Sequence, residues 1–193
     1  MQARLAAMDL ACRRGERLLF RGLSFSCEPG AALQVAGANG IGKSSLIRIL
    51  AGLLRPFTGQ VESAGAIGLV DERLALDANL PLGQALGFWE SLDGCRDAGR
   101  AFDVLQLDPL LDVPVRYLST GQKKRAALAR LLNRNCPIWL LDEPLNGLDT
   151  QAMKSVEALV ALHCGRGGIA VVASHQPMAL PDPQKIDLAR FSA

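Results

Sequence analysis

Residues 37 to 44 read Gly-Ala-Asn-Gly-Ile-Gly-Lys-Ser and match the phosphate-binding pattern G-x-x-x-x-G-K-[ST], the P-loop. Glycines let the backbone curl so that successive amide N–H groups face one point, and the helix predicted to follow directs its positive end there. We expect Lys43 to reach the β- and γ-phosphates of a nucleotide and Ser44 to ligate Mg²⁺. The residues predicted to hold the nucleotide in this segment are Gly37, Ala38, Asn39, Gly40, Ile41, Gly42, Lys43, Ser44 and Ser45.

Two acids close a short apolar run, Ile-Trp-Leu-Leu-Asp-Glu at 138–143. The run is typical of a buried strand, and parallel sheets bind ligands at the carboxyl ends of their strands. We therefore expect Asp142 to hold Mg²⁺ through water and Glu143 to polarise an attacking water. Strand alternation would point the two side chains in different directions, which suits two roles. A solvated strand end is the alternative interpretation, and the P-loop upstream argues against it.

A third segment reads Leu-Ser-Thr-Gly-Gln at 118–122 and is followed by Lys-Lys-Arg. Ser119 or Thr120 can cap a helix here, and Gly121 permits the close approach of another backbone. Basic residues are unfavourable at the positive end of a helix dipole. We therefore expect an anion nearby, and a bound triphosphate is one candidate.

Strands and helices must alternate to position these segments. Short apolar runs predict strands at 17–26, 31–36, 66–70, 138–141 and 169–173, and helical spacing predicts helices at 43–54, 120–132 and 151–163. The stretch 74–118 has helical spacing punctuated by prolines and predicts a small helical lobe between strands. After Ser174 the pattern fades into a short tail. The alternation favours an α/β fold with a parallel sheet and crossover helices.

The chain resembles the ABC ATPases over about residues 3 to 180. Five elements occur in that family's order: the P-loop, Leu-Ser-x-Gly-Gln, the acid pair, Gly-Leu-Asp at 147–149 and Ser-His at 174–175. The second is specific, because other P-loop enzymes lack it. The resemblance implies a mostly parallel core sheet, an N-terminal antiparallel β part and an inserted helical lobe. It implies one ABC ATPase domain over 1–193, with a RecA-like core at about 1–73 and 119–180 and a helical subdomain at about 74–118.

The same resemblance implies that two copies pair head to tail around ATP. Ser119, Gly121 and Gln122 of one copy would contact the γ-phosphate held by the P-loop of the other. Asp149 would help to tie the two sites together, and His175 would hold the γ-phosphate and the attacking water in register with Glu143. The implied catalytic residues are Lys43, Glu143 and His175.

Two positions depart from the family pattern. Where the family usually has a glutamine after the strand at 66–70, this chain has Glu72. A carboxylate can still hold a cation, so the predicted metal ligands are Ser44, Asp142 and Glu72. Family members commonly stack an aromatic side chain on adenine about 25 residues before the P-loop, and this chain has Cys-Arg-Arg at 12–14. A guanidinium plane can stack on a base instead.

Runs at 12–25, 47–53 and 175–177 resemble the haem-handling ATPases of bacterial cytochrome c maturation. This likeness implies an integral membrane subunit resembling CcmB, a role in haem delivery, and a peripheral position on the cytoplasmic face of the inner membrane. His163 and Cys164 are adjacent, and we interpret them as a helix end rather than haem ligands. Three alternatives stay open: the ATPase of another small ABC exporter, a soluble ABC protein outside transport, and a module that binds ATP but barely hydrolyses it.

Composition bears on the partners, the metal content and the location that we expect for the chain. The formal net charge of +2 gives no indication of a nucleic-acid partner. Five cysteines without a CxxC pair, at 12, 27, 95, 136 and 164, predict small buried hydrophobes in a reducing compartment rather than zinc ligands or disulfides. No apolar run approaches the roughly 18 residues that span a bilayer, and no signal peptide is visible. We expect a soluble, cytosolic chain.

Overall fold

The computed structural model describes residues 2–94 and 99–192, so Cys95 lies outside the described part of the chain. Within those ranges the strands are β1 (Arg4–Arg14), β2 (Arg17–Cys27), β3 (Ala32–Ala36), β4 (Thr58–Ala64), β5 (Ile67–Val70), β6 (Ile138–Asp142), β7 (Ile169–Ala173) and β8 (Gln184–Asp187). The helices are α1 (Lys43–Leu50), α2 (Leu82–Asp93), α3 (Gly99–Val104), α4 (Thr120–Arg134) and α5 (Thr150–Gly165). Short 3₁₀ turns cover Asp108–Leu110, Val115–Tyr117 and Leu188–Phe191.

Two sheets organise the chain. An antiparallel sheet has the order β2-β1-β4, and a second sheet has the order β5-β6-β7-β3-β8 with every neighbouring pair parallel. All five residues of β6 and all five of β7 are buried. Strands buried on both faces read as continuous apolar runs, which is why the sequence identifies them. The predicted α/β fold, with a parallel core sheet and an N-terminal antiparallel part, is confirmed.

The parallel sheet separates two apolar cores. Along β6, Ile138 and Leu140 pack with α1 and the antiparallel sheet, whereas Trp139 and Leu141 pack with α2, α4 and α5. This alternation follows from the two-residue period of a strand. The sheet is therefore covered on both faces, and the carboxyl ends of its strands are left to form a site.

Two element boundaries differ from the sequence prediction. Helix α1 ends at Leu50 rather than at 54, because Gly52 takes a left-handed conformation with φ of +73° and terminates the helix. The predicted tail after Ser174 contains β8, which pairs in parallel with β3. Strand β8 is mostly exposed, so it carries no apolar pattern that would reveal it.

The stretch predicted as a helical lobe contains α2, α3 and two 3₁₀ turns. Its buried side chains on α2, Leu82, Ala85 and Leu86, join the same core as α4. No helix in the described ranges has both the length and the hydropathy needed to cross a membrane.

Candidate functional site

The P-loop connects β3 to α1 and rests on β2. Gly37, Gly40 and Gly42 have φ values of +145°, +78° and +118°, which side-chain-bearing residues rarely adopt. A Cβ at Gly42 would lie 3.1 Å from Cδ1 of Phe20 and 3.3 Å from Cβ of Leu19. Among the described residues no side chain caps α1, so the N–H groups of its first turn are available to an anion.

Lys43 joins the P-loop to the acid pair. Its side chain is 6% exposed, and its Nζ donates to the carbonyl of Gly37 at 2.8 Å and to that of Ala38 at 3.4 Å. The same Nζ lies 3.7 Å from Oε1 of Glu143. A buried ammonium requires such partners, and the phosphates of a nucleotide would offer it stronger ones.

Asp142 and Ser44 form a donor set suited to a hard cation. Asp142 is 2% exposed, and its Oδ1 has no hydrogen-bond partner within the described ranges. Burial raises the pKa of the Asp142 carboxyl, and the neighbouring Ser44 hydroxyl opposes that rise. Carboxylate and hydroxyl oxygens are ligands that Mg²⁺ accepts, usually together with water and substrate phosphates. The described residues contain no group of three or more His, Cys, Asp and Glu that could hold a metal ion.

Glu143 lies between a lysine and a histidine. Its Oε2 is 2.8 Å from Nδ1 of His175 and accepts the backbone N–H of the same residue at 3.3 Å. Its own backbone N–H donates to the carbonyl of Ala173 on β7 at 2.8 Å. Together with the Lys43 contact, these bonds fix the carboxylate at the carboxyl end of the sheet.

The backbone of Glu143 is left-handed, with φ of +47°. Such a conformation costs about 1–3 kcal/mol in a residue other than glycine and is found most often at functional sites. Strand β6 ends at Asp142, so Glu143 lies beyond the strand. Its separate set of partners therefore follows from this backbone turn, and the sequence-based explanation from strand alternation is wrong.

The start of α4 is a capping box. The hydroxyl of Ser119 accepts the N–H of Gln122 at 3.2 Å, and the side-chain oxygen of Gln122 accepts the N–H of Ser119 at 2.8 Å. Ser119 is exposed. Gly121 is buried, and a Cβ there would overlap the carbonyl oxygen of Gly147. The close backbone approach predicted for Gly121 thus occurs with a loop of the same chain.

The loop that follows Glu143 ends at Asp149, which caps α5. The side chain of Asp149 accepts the N–H of Ala152 at 2.8 Å, and the residue is exposed. Sequence reasoning missed this capping role, although an aspartate directly before a helical run is a recognisable signal for it.

Main-chain carbonyls accept hydrogen bonds from basic side chains at the start of α4. Lys124 is buried and donates to the main-chain carbonyl of Asp142 at 3.2 Å, and Arg125 donates to the carbonyl of Leu105 at 3.0 Å. Burial lowers the pKa of Lys124, and the charges of four nearby carboxylates oppose that change. Both side chains thus have hydrogen-bond partners within the chain, and the expected anion at this helix start stays a prediction.

Glu72 follows β5 and lines a cleft together with Glu143 of the acid pair. Lys124 also lines this cleft. The preceding residue, Asp71, is held by Arg48 at 3.5 Å and accepts the N–H of Arg73 at 2.8 Å. The structure thus brings Glu72 to the same end of the sheet as the predicted metal ligands Ser44 and Asp142.

The two arginines near the end of β1 have different surroundings. The guanidinium of Arg13 lies 4.6 Å from the centre of the Phe57 ring. Burial raises the pKa of the Cys12 thiol, whereas a hydrogen bond with Ser45 and the charge of Arg14 oppose the rise. Cys12 and Arg14 therefore share the face of β1 that is turned to the P-loop helix, while Arg13 lies on the other face.

The remaining cysteines and the adjacent histidine have structural roles. Cys12, Cys27, Cys136 and Cys164 are free and buried, as predicted for small hydrophobes. His163 stacks on Trp139 with ring centres 3.9 Å apart, and its Nε2 lies 3.2 Å from the carbonyl of Ile169 at the end of α5.

Comparisons with known proteins extend this picture. A family model described as "ABC transporter" matches residues 20–146. The cytochrome c biogenesis ATP-binding export protein CcmA of Novosphingobium aromaticivorans is 59% identical over 187 residues, which cover 97% of this chain and 96% of the relative. The CcmA protein of Zymomonas mobilis is 50% identical over 192 residues, covering 99% and 87%.

Solved structures show the same fold. A metal-chelate type ABC transporter in an inward-facing conformation matches with a TM-score of 0.76 and 28% identity, covering 91% of this chain and 75% of that one. An ABC transporter ATP-binding protein from Pyrococcus furiosus matches with a TM-score of 0.82 and 23% identity, covering 98% and 100%. The P-loop, the acid pair and the capped α4 thus occur in a known setting: the chain belongs to the ABC transporter ATP-binding proteins and, within them, to the CcmA group.

Proposed function

We propose that this chain hydrolyses MgATP as the ATPase subunit of an exporter complex that serves cytochrome c biogenesis. The observation that carries the hydrolytic part is the position of Glu143, held 2.8 Å from His175 and 3.7 Å from Lys43. The export part is supported by the CcmA relatives, whose names describe ATP-binding export proteins of cytochrome c biogenesis.

The chemistry is transfer of the γ-phosphoryl group of ATP to water. Amides of the P-loop and Lys43 bind the phosphates and stabilise the charge that develops as the bond to ADP breaks. Glu143 orients the attacking water and takes up a proton, while His175 holds Glu143 in place and faces the γ-phosphate. Ser44 and Asp142 would hold Mg²⁺, with Glu72 as a further ligand, and the ion would supply positive charge that stabilises the phosphates.

A second copy completes each site. Ser119 lies exposed at the amino end of α4, where N–H groups and the helix dipole favour an anion. With Gly121 and Gln122 it would contact the γ-phosphate bound by the partner's P-loop, and Asp149 would contribute to the contact between the two sites. The whole chain acts as one domain, with a RecA-like core at about 1–73 and 119–180 and a helical part at about 74–118.

Arg14 would stack on the base of the nucleotide. Its face of β1 is shared with Cys12, whose thiol lies near Ser45 at the start of α1. Arg13 is the less suitable of the two, since its guanidinium is already stacked on Phe57.

A groove beside β5 would receive the membrane subunit. Its lining includes Arg73, Arg130 and Arg134, and the guanidinium of Arg130 stacks 3.6 Å from the ring centre of Trp89. Such a basic groove suits a helix that carries carboxylates. We propose that the helix belongs to a CcmB-like integral membrane protein, that ATP hydrolysis drives haem delivery through it, and that the chain sits peripherally on the cytoplasmic face of the bacterial inner membrane.

Hydrolysis is tested with the wild-type protein and the Glu143→Gln variant. We expect the variant to bind ATP as tightly as the parent but to hydrolyse it at least about 100-fold more slowly, since water activation is lost. Glu16→Gln, at an exposed position in the β1–β2 turn, is the matched control and should keep the parental rate. Equal rates for the parent and Glu143→Gln would refute the assignment.

The membrane partner is tested by affinity purification from detergent-solubilised membranes. The wild-type chain should recover a polytopic CcmB-like protein, and reversing the groove charge with Arg73→Glu and Arg134→Glu should abolish recovery. Arg21→Glu, a charge reversal at an exposed position of β2 outside the groove, should leave recovery intact. Recovery that is unchanged by the groove substitutions would place the partner elsewhere, and recovery of ribosomal or DNA-repair proteins in its place would refute the transport role.

A further inference from the structure

One buried lysine is not used by the chemistry described above. Lys124 lies on α4, is 8% exposed, and donates from Nζ to the main-chain carbonyl of Asp142 at 3.2 Å. An ammonium is rarely buried unless it is paired and hydrogen-bonded, because desolvating a charge costs several kcal/mol or more. Its position therefore calls for an explanation in terms of its surroundings.

Four carboxylates lie close enough to Lys124 to act on its charge. Burial lowers the pKa of Lys124, and the charges of Asp142, Asp71, Glu72 and Glu143 oppose that change, in this order of size. Glu72 and Glu143 also line the cleft that contains Lys124. The ammonium thus balances negative charge that comes from the end of β6 and from the loop after β5.

Lys124 hydrogen-bonds the peptide group between Asp142 and Glu143. The carbonyl of Asp142 and the N–H of Glu143 belong to the same peptide unit. Lys124 donates to the oxygen of this unit at 3.2 Å, and the N–H of the unit donates to the carbonyl of Ala173 at 2.8 Å. This peptide unit is therefore held from both sides, immediately before the left-handed backbone of Glu143.

We propose that Lys124 is a positioning residue for hydrolysis, which holds the Asp142–Glu143 peptide in place and balances the charge of the acids around it. The role rests on Glu143 as the group that orients water. It also connects two parts of the site, because α4 begins at the exposed Ser119 and is tied through Lys124 to the acid pair. A shift of α4 is thereby transmitted to Glu143 in the same chain.

The test is a double-mutant cycle in the hydrolysis rate. We expect Lys124→Met to lower kcat at least tenfold with KM for MgATP changed less than threefold, while Lys124→Arg keeps at least a third of the parental kcat. Glu72→Gln is made both in the parent and in Lys124→Met, and the fold-change in kcat is compared. The two fold-changes should differ by at least threefold, since the two charges are coupled. Lys123→Met changes the neighbouring lysine, whose Nζ donates to the Arg116 carbonyl at 3.5 Å, and should change kcat less than twofold.

Three results would overturn the proposal: a normal kcat in Lys124→Met, an equal loss in Lys124→Arg, or strictly additive effects in the cycle. If Lys124→Met does not fold, as judged by its thermal unfolding, Lys124→Gln takes its place under the same thresholds. A Glu143→Gln variant assayed in parallel separates the causes. An inactive Glu143→Gln beside a normal Lys124→Met rejects this inference alone, whereas an active Glu143→Gln rejects the proposed function itself.

Discussion

A methyl group at position 121 has no room in this structure. Gly121 occupies the first turn of α4, and a Cβ there would overlap the carbonyl oxygen of Gly147 and lie 3.1 Å from the carbonyl carbon. Real Cβ atoms essentially never come closer than 3.0 Å to such atoms. Because the neighbour is backbone and not the end of a flexible side chain, Gly121→Ala must push α4 and the loop around Gly147 apart.

The magnitude follows from the contact. Overpacking of this kind costs about 1–3 kcal/mol, and alanine returns about 0.5–1 kcal/mol through its higher helix propensity. A net loss of about 1–2 kcal/mol should lower Tm by about 2–8 °C in a chain of 193 residues. Misplacing a site by about 1 Å can cost about 100-fold in rate. Expressed as free energy, the loss in the ATPase rate should therefore exceed the loss in unfolding free energy.

Thermal unfolding and steady-state ATPase assays measure both effects. Gly87→Ala is the matched control, since Gly87 lies inside α2 and a Cβ there meets nothing within 4 Å. This control should keep its activity and gain about 0.5–1 kcal/mol. If Gly121→Ala were as stable and as active as the parent, the close packing of α4 against the loop at Gly147 would be wrong.

Three further predictions concern other parts of the site and the core. Gly42→Ala should weaken binding of a fluorescent ATP analogue at least tenfold, because φ of +118° and the Phe20 contact at 3.1 Å leave no place for a methyl group; unchanged affinity would contradict this. Asp149→Ala should lose about 1 kcal/mol of unfolding free energy, whereas Asp149→Asn, which can still cap α5, should lose much less; equal losses in urea titrations would argue against the cap. Burial, with the charge of Glu28 adding, raises the pKa of Cys27 from 9.0 to about 11. The native state thus keeps the thiol protonated where the unfolded chain ionises, so stability present below about pH 9 should be lost as pH rises towards about 11. Cys27→Ala should flatten that part of the pH profile, and an identical slope would contradict the shift.

The sequence alone predicts those parts of the site whose structure is determined by local backbone geometry. A P-loop needs glycines at fixed spacing because a side chain at Gly42 would strike β2, and β6 and β7 are recognisable because every residue in them is buried. His175 could be placed beside Glu143 only through the family resemblance. Its partner lies 32 residues earlier in the chain, and no local pattern reports such a contact.

Other features depend on contacts that one-dimensional patterns do not record. A run of basic residues at 123–125 is typical of a solvated helix start, so the burial of Lys124 was not foreseen. Strand β1 buries two runs of three consecutive residues, 5–7 and 10–12, rather than alternate residues, because irregular pairing near Asp9 shifts its register. The strand β8 is exposed and derives its structure from pairing with β3 rather than from its own residues.

A mixing experiment tests most directly whether two copies build each site. Lys43→Ala disables the P-loop, while Ser119→Asp keeps a good helix cap but puts a negative charge where a phosphate of the other copy should lie. Each variant alone should be inactive. In a head-to-tail pair of the two, one site regains both Lys43 and Ser119, so the mixture should hydrolyse ATP well above either variant. A mixture that stays at the level of its components, beside an active wild-type protein, would contradict a site shared between copies.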